Sequence, residues 1–106
     1  MDSDTYYRVL ISATSEKEAD QILDLLTQKK LVAGGLISSG KSRYWWNKEI
    51  VEKIYFNISA FCPEFKKDEI IQIVEDNHSD ETPIIAFFKI EAGNSSFLKW
   101  IDDSSR

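Results

Sequence analysis

A phosphate-binding pattern lies in the middle of the chain. Residues 35–42 match the spacing G-x-x-x-x-G-K-[ST], in which backbone amides and a lysine hold the phosphates of ATP or GTP. That chemistry needs a helix directly after the loop, because the amides at a helix N-terminus bind the phosphate. Here residues 43–46 follow, and their aromatic composition predicts a strand. We interpret the match as coincidental, with Gly34 and Gly35 forming a bulge at the start of a strand and Gly40 a kink within it.

A second group of residues has the chemistry of a cation site. His78, the only histidine, lies between the acidic segment 75–77 and the pair Asp80 and Glu81. Copper and zinc bind imidazole and carboxylate ligands of these kinds. His78 and Glu81 are therefore candidate metal ligands, with copper or zinc as the candidate cofactor. The alternative interpretation is a solvated acidic loop at the end of a helix, where a protonated histidine is favoured.

Length and composition limit the classes of protein to consider. The 106 residues predict a single domain, residues 1–106, and 29% charged with 42% hydrophobic residues is ordinary for a globular protein. A net charge of -5 argues against a nucleic-acid partner. No apolar run approaches the roughly 20 residues of a membrane span, and Cys62 has no second cysteine to pair with. Residues 1–4 are polar and acidic, unlike a targeting segment, so we expect a cytoplasmic protein.

Hydrophobic periodicity supplies the elements that must position these residues. It predicts a strand over 6–12, a helix from Ser15 to about Lys30, strands over 32–46 and 50–61, a helix from Pro63 to about Asn77, a strand over 84–90 and a last helix containing Phe97 and Ile101. This order is β-α-β-β-α-β plus a C-terminal helix. It predicts an α+β, ferredoxin-like sandwich in which both internal helices cover one face of the sheet.

The two central strands are long and are expected to form a projecting hairpin, with residues 47–49 as the turn. Trp45 and Trp46 are adjacent, so on a strand they point to opposite faces. We expect one to be buried within the subunit and the other to pack against a neighbouring chain or line a cleft. The sheet face without helices would expose apolar side chains, which predicts homo-oligomerisation through that face and the hairpin.

Four segments of the sequence, 31–33, 42–50, 78–85 and 97–101, together resemble the CutA divalent-cation tolerance family. The resemblance covers nearly the whole chain. It implies a ferredoxin-like subunit assembled as a homotrimer, similar in shape to the PII signalling proteins, with a part in copper and divalent-metal tolerance. The chain departs from the family pattern where Gly34 replaces a cysteine and where Ser79 and Asp80 replace a Pro-Tyr pair. The first change removes a soft ligand that copper would prefer.

The resemblance also implies where function resides. We expect a non-enzymatic protein whose partners are copies of itself and metal ions, with intersubunit clefts that bind a metal or a small ligand. The residues expected to line the cleft are Lys41, Trp46 and Glu49, and those expected at the trimer interface are Tyr44, Trp45 and Trp100.

Two other functions are known uses of such an architecture. A small phosphatase of the acylphosphatase type is the enzyme alternative, but it would need an arginine in a glycine-rich loop after the first strand, and residues 13–15 contain neither. RNA recognition on the open sheet would need a basic-aromatic signature and a positive surface. The sequence has neither.

Overall fold

The computed structural model describes residues 5–105; residues 1–4, on which the compartment prediction partly rests, and residue 106 lie outside it. The elements in chain order are β1 (Tyr6–Ala13), α1 (Glu16–Gln28), β2 (Gly34–Trp46), β3 (Glu49–Pro63), a 3₁₀ helix (Glu64–Lys66), α2 (Lys67–Asp76), β4 (Ile85–Lys89) and α3 (Ser95–Ser104). The four strands form one antiparallel sheet in the order β2-β3-β1-β4. This confirms the predicted ferredoxin-like α+β fold.

Helix α1 begins directly after Ser15, which is the residue at which the sequence predicts the helix to start. The Ser15 hydroxyl accepts a hydrogen bond from the Glu18 amide at 3.0 Å. In a capping box, the Glu18 carboxylate would accept a hydrogen bond from the Ser15 amide. Here it accepts one from the Thr14 amide instead, at 2.9 Å. The first turn of α1 is therefore fixed to the end of β1.

The hydrophobic core lies between one face of the sheet and helices α1 and α2. Val9 and Ile11 of β1 and Ile58 and Ala60 of β3 are fully buried on that face. The helices contribute buried residues at helical spacing, namely Ala19, Ile22, Leu26, Ile70 and Val74. The opposite face is covered only in part, by α3, where the Phe97 ring meets the Phe61 ring edge-on at 5.2 Å.

The β2-β3 hairpin extends beyond the other strands. β1 pairs with β3 as far as Phe56, so residues 40–55 form a ribbon of only two strands. The two strands of the hairpin pair residue by residue from Gly34 opposite Phe61 to Trp46 opposite Glu49. The phosphate-like pattern at 35–42 thus lies inside a paired strand, as the sequence argument predicted.

Two local predictions about this region are wrong. The turn has two residues rather than three: Asn47 and Lys48 both have positive φ, 50° and 66°, as in a type I′ turn. The continuous pairing leaves no bulge at Gly34 and Gly35. The pairing also continues through Gly40, and the kink predicted there stays a prediction. Gly35 is instead at a close approach of two strands, because a Cβ there would lie 2.8 Å from a backbone carbonyl oxygen.

Two further expectations, for Pro63 and for the tryptophan pair, are also wrong. Pro63 is the last residue of β3 and does not open a helix, since a 3₁₀ turn follows it before α2. Trp45 and Trp46 point to opposite faces as predicted, but neither is buried: they are 71% and 42% exposed. Within the described part of the chain, no helix or strand covers either face of the ribbon at these two residues.

Candidate functional site

The loop between α2 and β4, residues 77–84, crosses the end of β1 beside the first turn of α1. Two of its backbone amides are held by side chains from those elements. The Ser79 amide donates to the Glu18 carboxylate at 2.9 Å, and the Ile84 amide donates to the Ser12 hydroxyl at 2.9 Å. The loop that carries both predicted metal ligands is therefore tied down along its length.

His78 is at the centre of this loop, and its side chain is fully buried, with 0% exposed. Its Nδ1 atom accepts a hydrogen bond from the Asp80 amide at 2.9 Å. Because Nδ1 is an acceptor, the proton of the neutral ring resides on Nε2, which donates to the Ser12 carbonyl at 2.5 Å. Both ring nitrogens are thus used by backbone groups.

Glu18 is the charged group next to His78, with 3.9 Å between its Oε1 and the histidine Nε2. Burial opposes ionisation of the carboxyl group, but hydrogen bonds from the backbone and hydroxyl groups of Thr14 and Ser79 outweigh that effect. The pKa of Glu18 consequently falls from 4.5 to about 2. A permanent carboxylate therefore joins the start of α1 to the loop.

A chain of hydrogen bonds connects the same loop to the ribbon. The Asp80 carboxylate accepts from the Tyr55 hydroxyl at 2.9 Å, and the Tyr55 and Tyr44 hydroxyls are 3.4 Å apart. Burial, followed by the bonds to Tyr44 and Asp80, raises the pKa of Tyr55. The sequence did not predict the contact between Tyr55 and Asp80. The one relevant feature of the sequence is alternation along β3, which places Tyr55 on the face opposite to Ile54.

The predicted metal pair is not assembled in one subunit. Glu81 is exposed, whereas the imidazole of His78 is buried and hydrogen-bonded through both ring nitrogens. Among residues 5–105, no three side chains of the His, Cys, Asp and Glu types are grouped to hold a metal ion. The remaining soft ligand, Cys62, is buried, and burial raises the pKa of its thiol to about 12. The residues of a single subunit do not fit a copper or zinc site.

The residues predicted for the cleft are on the ribbon but do not share a face. Lys41 lies on the same face as the exposed Ile54, its register partner, whereas Trp46 and Glu49 are register partners on the other face. In a single subunit these three side chains therefore line two different surfaces.

The residues predicted for the trimer interface are dispersed. Tyr44 is half-buried against the Tyr55 ring, with 5.9 Å between the ring centroids. Trp45 is exposed at the end of the ribbon. Trp100 in α3 is partly exposed and packs beside Gly34, where an added Cβ would lie 3.2 Å from the ring. Whether any of them meets a neighbouring chain stays a prediction.

The phosphatase alternative finds no support in the loop after β1. Residues 13–15 contain no arginine or glycine, and the Thr14 amide donates to the Glu18 carboxylate. The two groups best suited to nucleophilic or base chemistry, the Cys62 thiol and the His78 imidazole, are both buried.

The fold and these sites define a small ferredoxin-like protein with a projecting ribbon. The sequence profile of the family described as CutA1 divalent ion tolerance protein matches residues 7–104. The chain therefore belongs to the CutA divalent-cation tolerance family.

Individual relatives agree with this assignment. The divalent-cation tolerance protein CutA of Archaeoglobus fulgidus is 35% identical over 96 residues, which cover 91% of this chain and 94% of that protein. The protein of the same name from Thermotoga maritima is 29% identical and covers 91% of this chain and 97% of its own length. A solved structure, described as the periplasmic divalent cation tolerance protein CutA from Archaeoglobus fulgidus, superimposes with a TM-score of 0.93 at 34% identity, covering 95% of this chain and 99% of that chain.

The compartment stays a prediction, since that relative is described as periplasmic. No helix in residues 5–105 combines the length and apolar character needed to cross a bilayer.

Proposed function

We propose that this chain acts in divalent-cation tolerance as a non-enzymatic, cytoplasmic homotrimer whose subunits are joined by the ribbon. Membership of the CutA family supports the tolerance function. The trimer is the assembly implied by the sequence resemblance. The observation that carries the proposal is the ribbon, residues 40–55, which extends past the body of the subunit and exposes large apolar side chains.

Exposure of these side chains is unfavourable in an isolated subunit. Trp45, Ile50 and Ile54 are more than half exposed on one face of the hairpin, and Trp46 and Leu36 are exposed on the other. Large apolar groups concentrated on one projecting element are typical of an association surface. A second copy of the chain would return them to an apolar environment.

The charges of the ribbon fit the same partner. It carries four basic side chains, Lys41, Arg43, Lys48 and Lys53, and two acidic ones, Glu49 and Glu52, in a chain of net charge -5. The remainder of the subunit is therefore strongly acidic. A positive ribbon beside a negative body favours head-to-tail contacts between identical subunits, which close into a ring when the rotation permits.

Such contacts would create the clefts in which cations or a small anionic ligand bind. Lys41 on one ribbon face, and Trp46 and Glu49 on the other, would each face a neighbouring body and so contribute to different clefts of the trimer. This explains how residues that line separate surfaces of one subunit can serve equivalent sites. Cation binding is then expected to depend on assembly.

Light scattering coupled to size-exclusion chromatography tests the assembly. The wild type is expected at three times the subunit mass of 12.2 kDa. Ile54→Asp should elute as a monomer with an unchanged far-ultraviolet circular dichroism spectrum, because Ile54 is 57% exposed in the subunit and contributes little to its core.

Phe65→Asp is the matched control, since Phe65 is 62% exposed but lies in the 3₁₀ helix, away from the ribbon. It should remain trimeric. A monomeric wild type, or equal loss of mass in both variants, would refute assembly through the ribbon. Calorimetry with divalent cations should then show binding to wild type and Phe65→Asp and none to Ile54→Asp.

A further inference from the structure

The chain has only two side chains that could supply an imidazole or thiolate ligand, because the sequence contains one histidine and one cysteine. Copper and zinc sites in proteins are built chiefly on imidazole and thiolate groups. Cys62 is fully buried and lies near the end of β3, close in sequence to the buried residues Ala60 and Pro63. With its pKa raised to about 12 by burial, it remains a protonated thiol at neutral pH and is a poor ligand.

His78 is engaged through both ring nitrogens. A metal ion needs the lone pair of one nitrogen, and Nδ1 already receives the Asp80 amide while Nε2 carries the proton donated to the Ser12 carbonyl. Coordination would leave a buried backbone group without its hydrogen-bond partner, which is unfavourable. The imidazole has no exposed surface in the subunit, and assembly with other chains only adds burial.

The contacts of His78 describe a different role. The imidazole bridges the end of β1, through Ser12, and the loop at Asp80. Asp80 in turn holds Tyr55 of the ribbon by a hydrogen bond of 2.9 Å. His78 therefore positions the residue that joins the loop to the ribbon.

Building on the proposed tolerance function, we infer that this chain has no imidazole or thiolate site for copper or zinc, either in one subunit or in an assembly of subunits. His78 is a positioning residue of the loop, and Cys62 is a buried side chain of the core.

Electron spin-echo spectroscopy of the intact wild-type protein with Cu²⁺ tests the absence of an imidazole site without any variant. Modulation from the remote nitrogen of a coordinated imidazole would come only from His78. We expect none, at any Cu²⁺ concentration that leaves the protein folded. An imidazole signal would overturn the inference while leaving the tolerance function intact.

Urea unfolding tests the positioning role of His78. His78→Gln should unfold at a lower urea concentration than wild type, because it loses the contacts to Ser12 and Asp80, and failure of this variant to fold would agree with the same role. Glu81→Gln is the control at an exposed position of the same loop and should match wild type. Equal urea midpoints for wild type and His78→Gln would overturn the positioning role, whereas a monomeric wild type would count against the proposed function.

Discussion

Replacement of Glu18 by glutamine is expected to remove a large, pH-dependent part of the stability of this protein. The carboxylate accepts hydrogen bonds from Thr14 and Ser79 and is only 14% exposed, so solvent screens these contacts weakly. Its pKa falls from 4.5 to about 2 on folding. At 1.36 kcal/mol for each pKa unit, ionised Glu18 contributes at most roughly 3 kcal/mol to the free energy of unfolding.

The direction of the pH dependence follows from the lowered pKa of Glu18. The unfolded chain takes up a proton near pH 4.5, and the folded chain only near pH 2. The contribution is therefore complete above about pH 5 and is lost as the pH falls from about 4.5 to about 2. The difference between wild type and Glu18→Gln should be largest at neutral pH and roughly half as large at about pH 3.

Urea unfolding at a series of pH values and one protein concentration measures this difference. A fixed concentration is needed because assembly would link stability to mass action. Glu16→Gln is the matched control: Glu16 is an exposed carboxylate in the same first turn of α1 and should cost less than about 0.5 kcal/mol at every pH. A Glu18→Gln deficit that does not change with pH, or that equals the control, would refute the reasoning.

Three further substitutions have defined outcomes in urea unfolding. Gly35→Ala should lower the free energy of unfolding by about 1–3 kcal/mol, because the added Cβ would lie 2.8 Å from a carbonyl oxygen. Gly40→Ala is the control and should cause no such loss, because no atom lies within 4 Å of its added Cβ. Equal losses in the two variants would contradict this prediction. Tyr55→Phe removes the bond to Asp80 and should cost about 1 kcal/mol. In alkaline absorbance titration, the tyrosine signal missing from that variant should be one that ionises above the ordinary range, since the Tyr55 pKa is raised. Lys30, just after α1, has a φ of 58°, which glycine adopts more readily than lysine. Lys30→Gly should therefore raise the free energy of unfolding by about 0.5–1 kcal/mol, and a decrease would contradict this prediction.

The element order could be predicted because hydrophobic spacing is a local property that persists along each helix and strand. The hairpin turn was missed by one residue for a local reason too: Asn47-Lys48 adopts two positive φ angles, but it lacks the glycine that normally identifies a type I′ turn. Pro63 fits either the end of a strand or the start of a helix, and composition does not distinguish them.

The candidate site was predictable in chemistry but not in contacts. Sequence places His78 among carboxylates, yet its partners include the Ser12 carbonyl, 66 residues away, and the nearby Glu18 comes from another helix. Hydrogen bonds across such separations depend on how the loop crosses β1, which no local pattern specifies. The tryptophan pair shows the same limit, since alternation gives the face of Trp45 and Trp46 but not whether anything covers it.

The position of β2 has a consequence for the newly made subunit. β2 lies at the edge of the sheet, so the outward backbone groups of a 13-residue strand find no partner within the sheet. Such an edge can template open-ended fibrils before a closed assembly forms. Lys41 and Arg43 lie on that strand and repel an identical edge brought alongside. These two charges would then keep unassembled chains apart during synthesis. Refolding of a Lys41→Val, Arg43→Val variant should yield more thioflavin-positive aggregate than refolding of wild type.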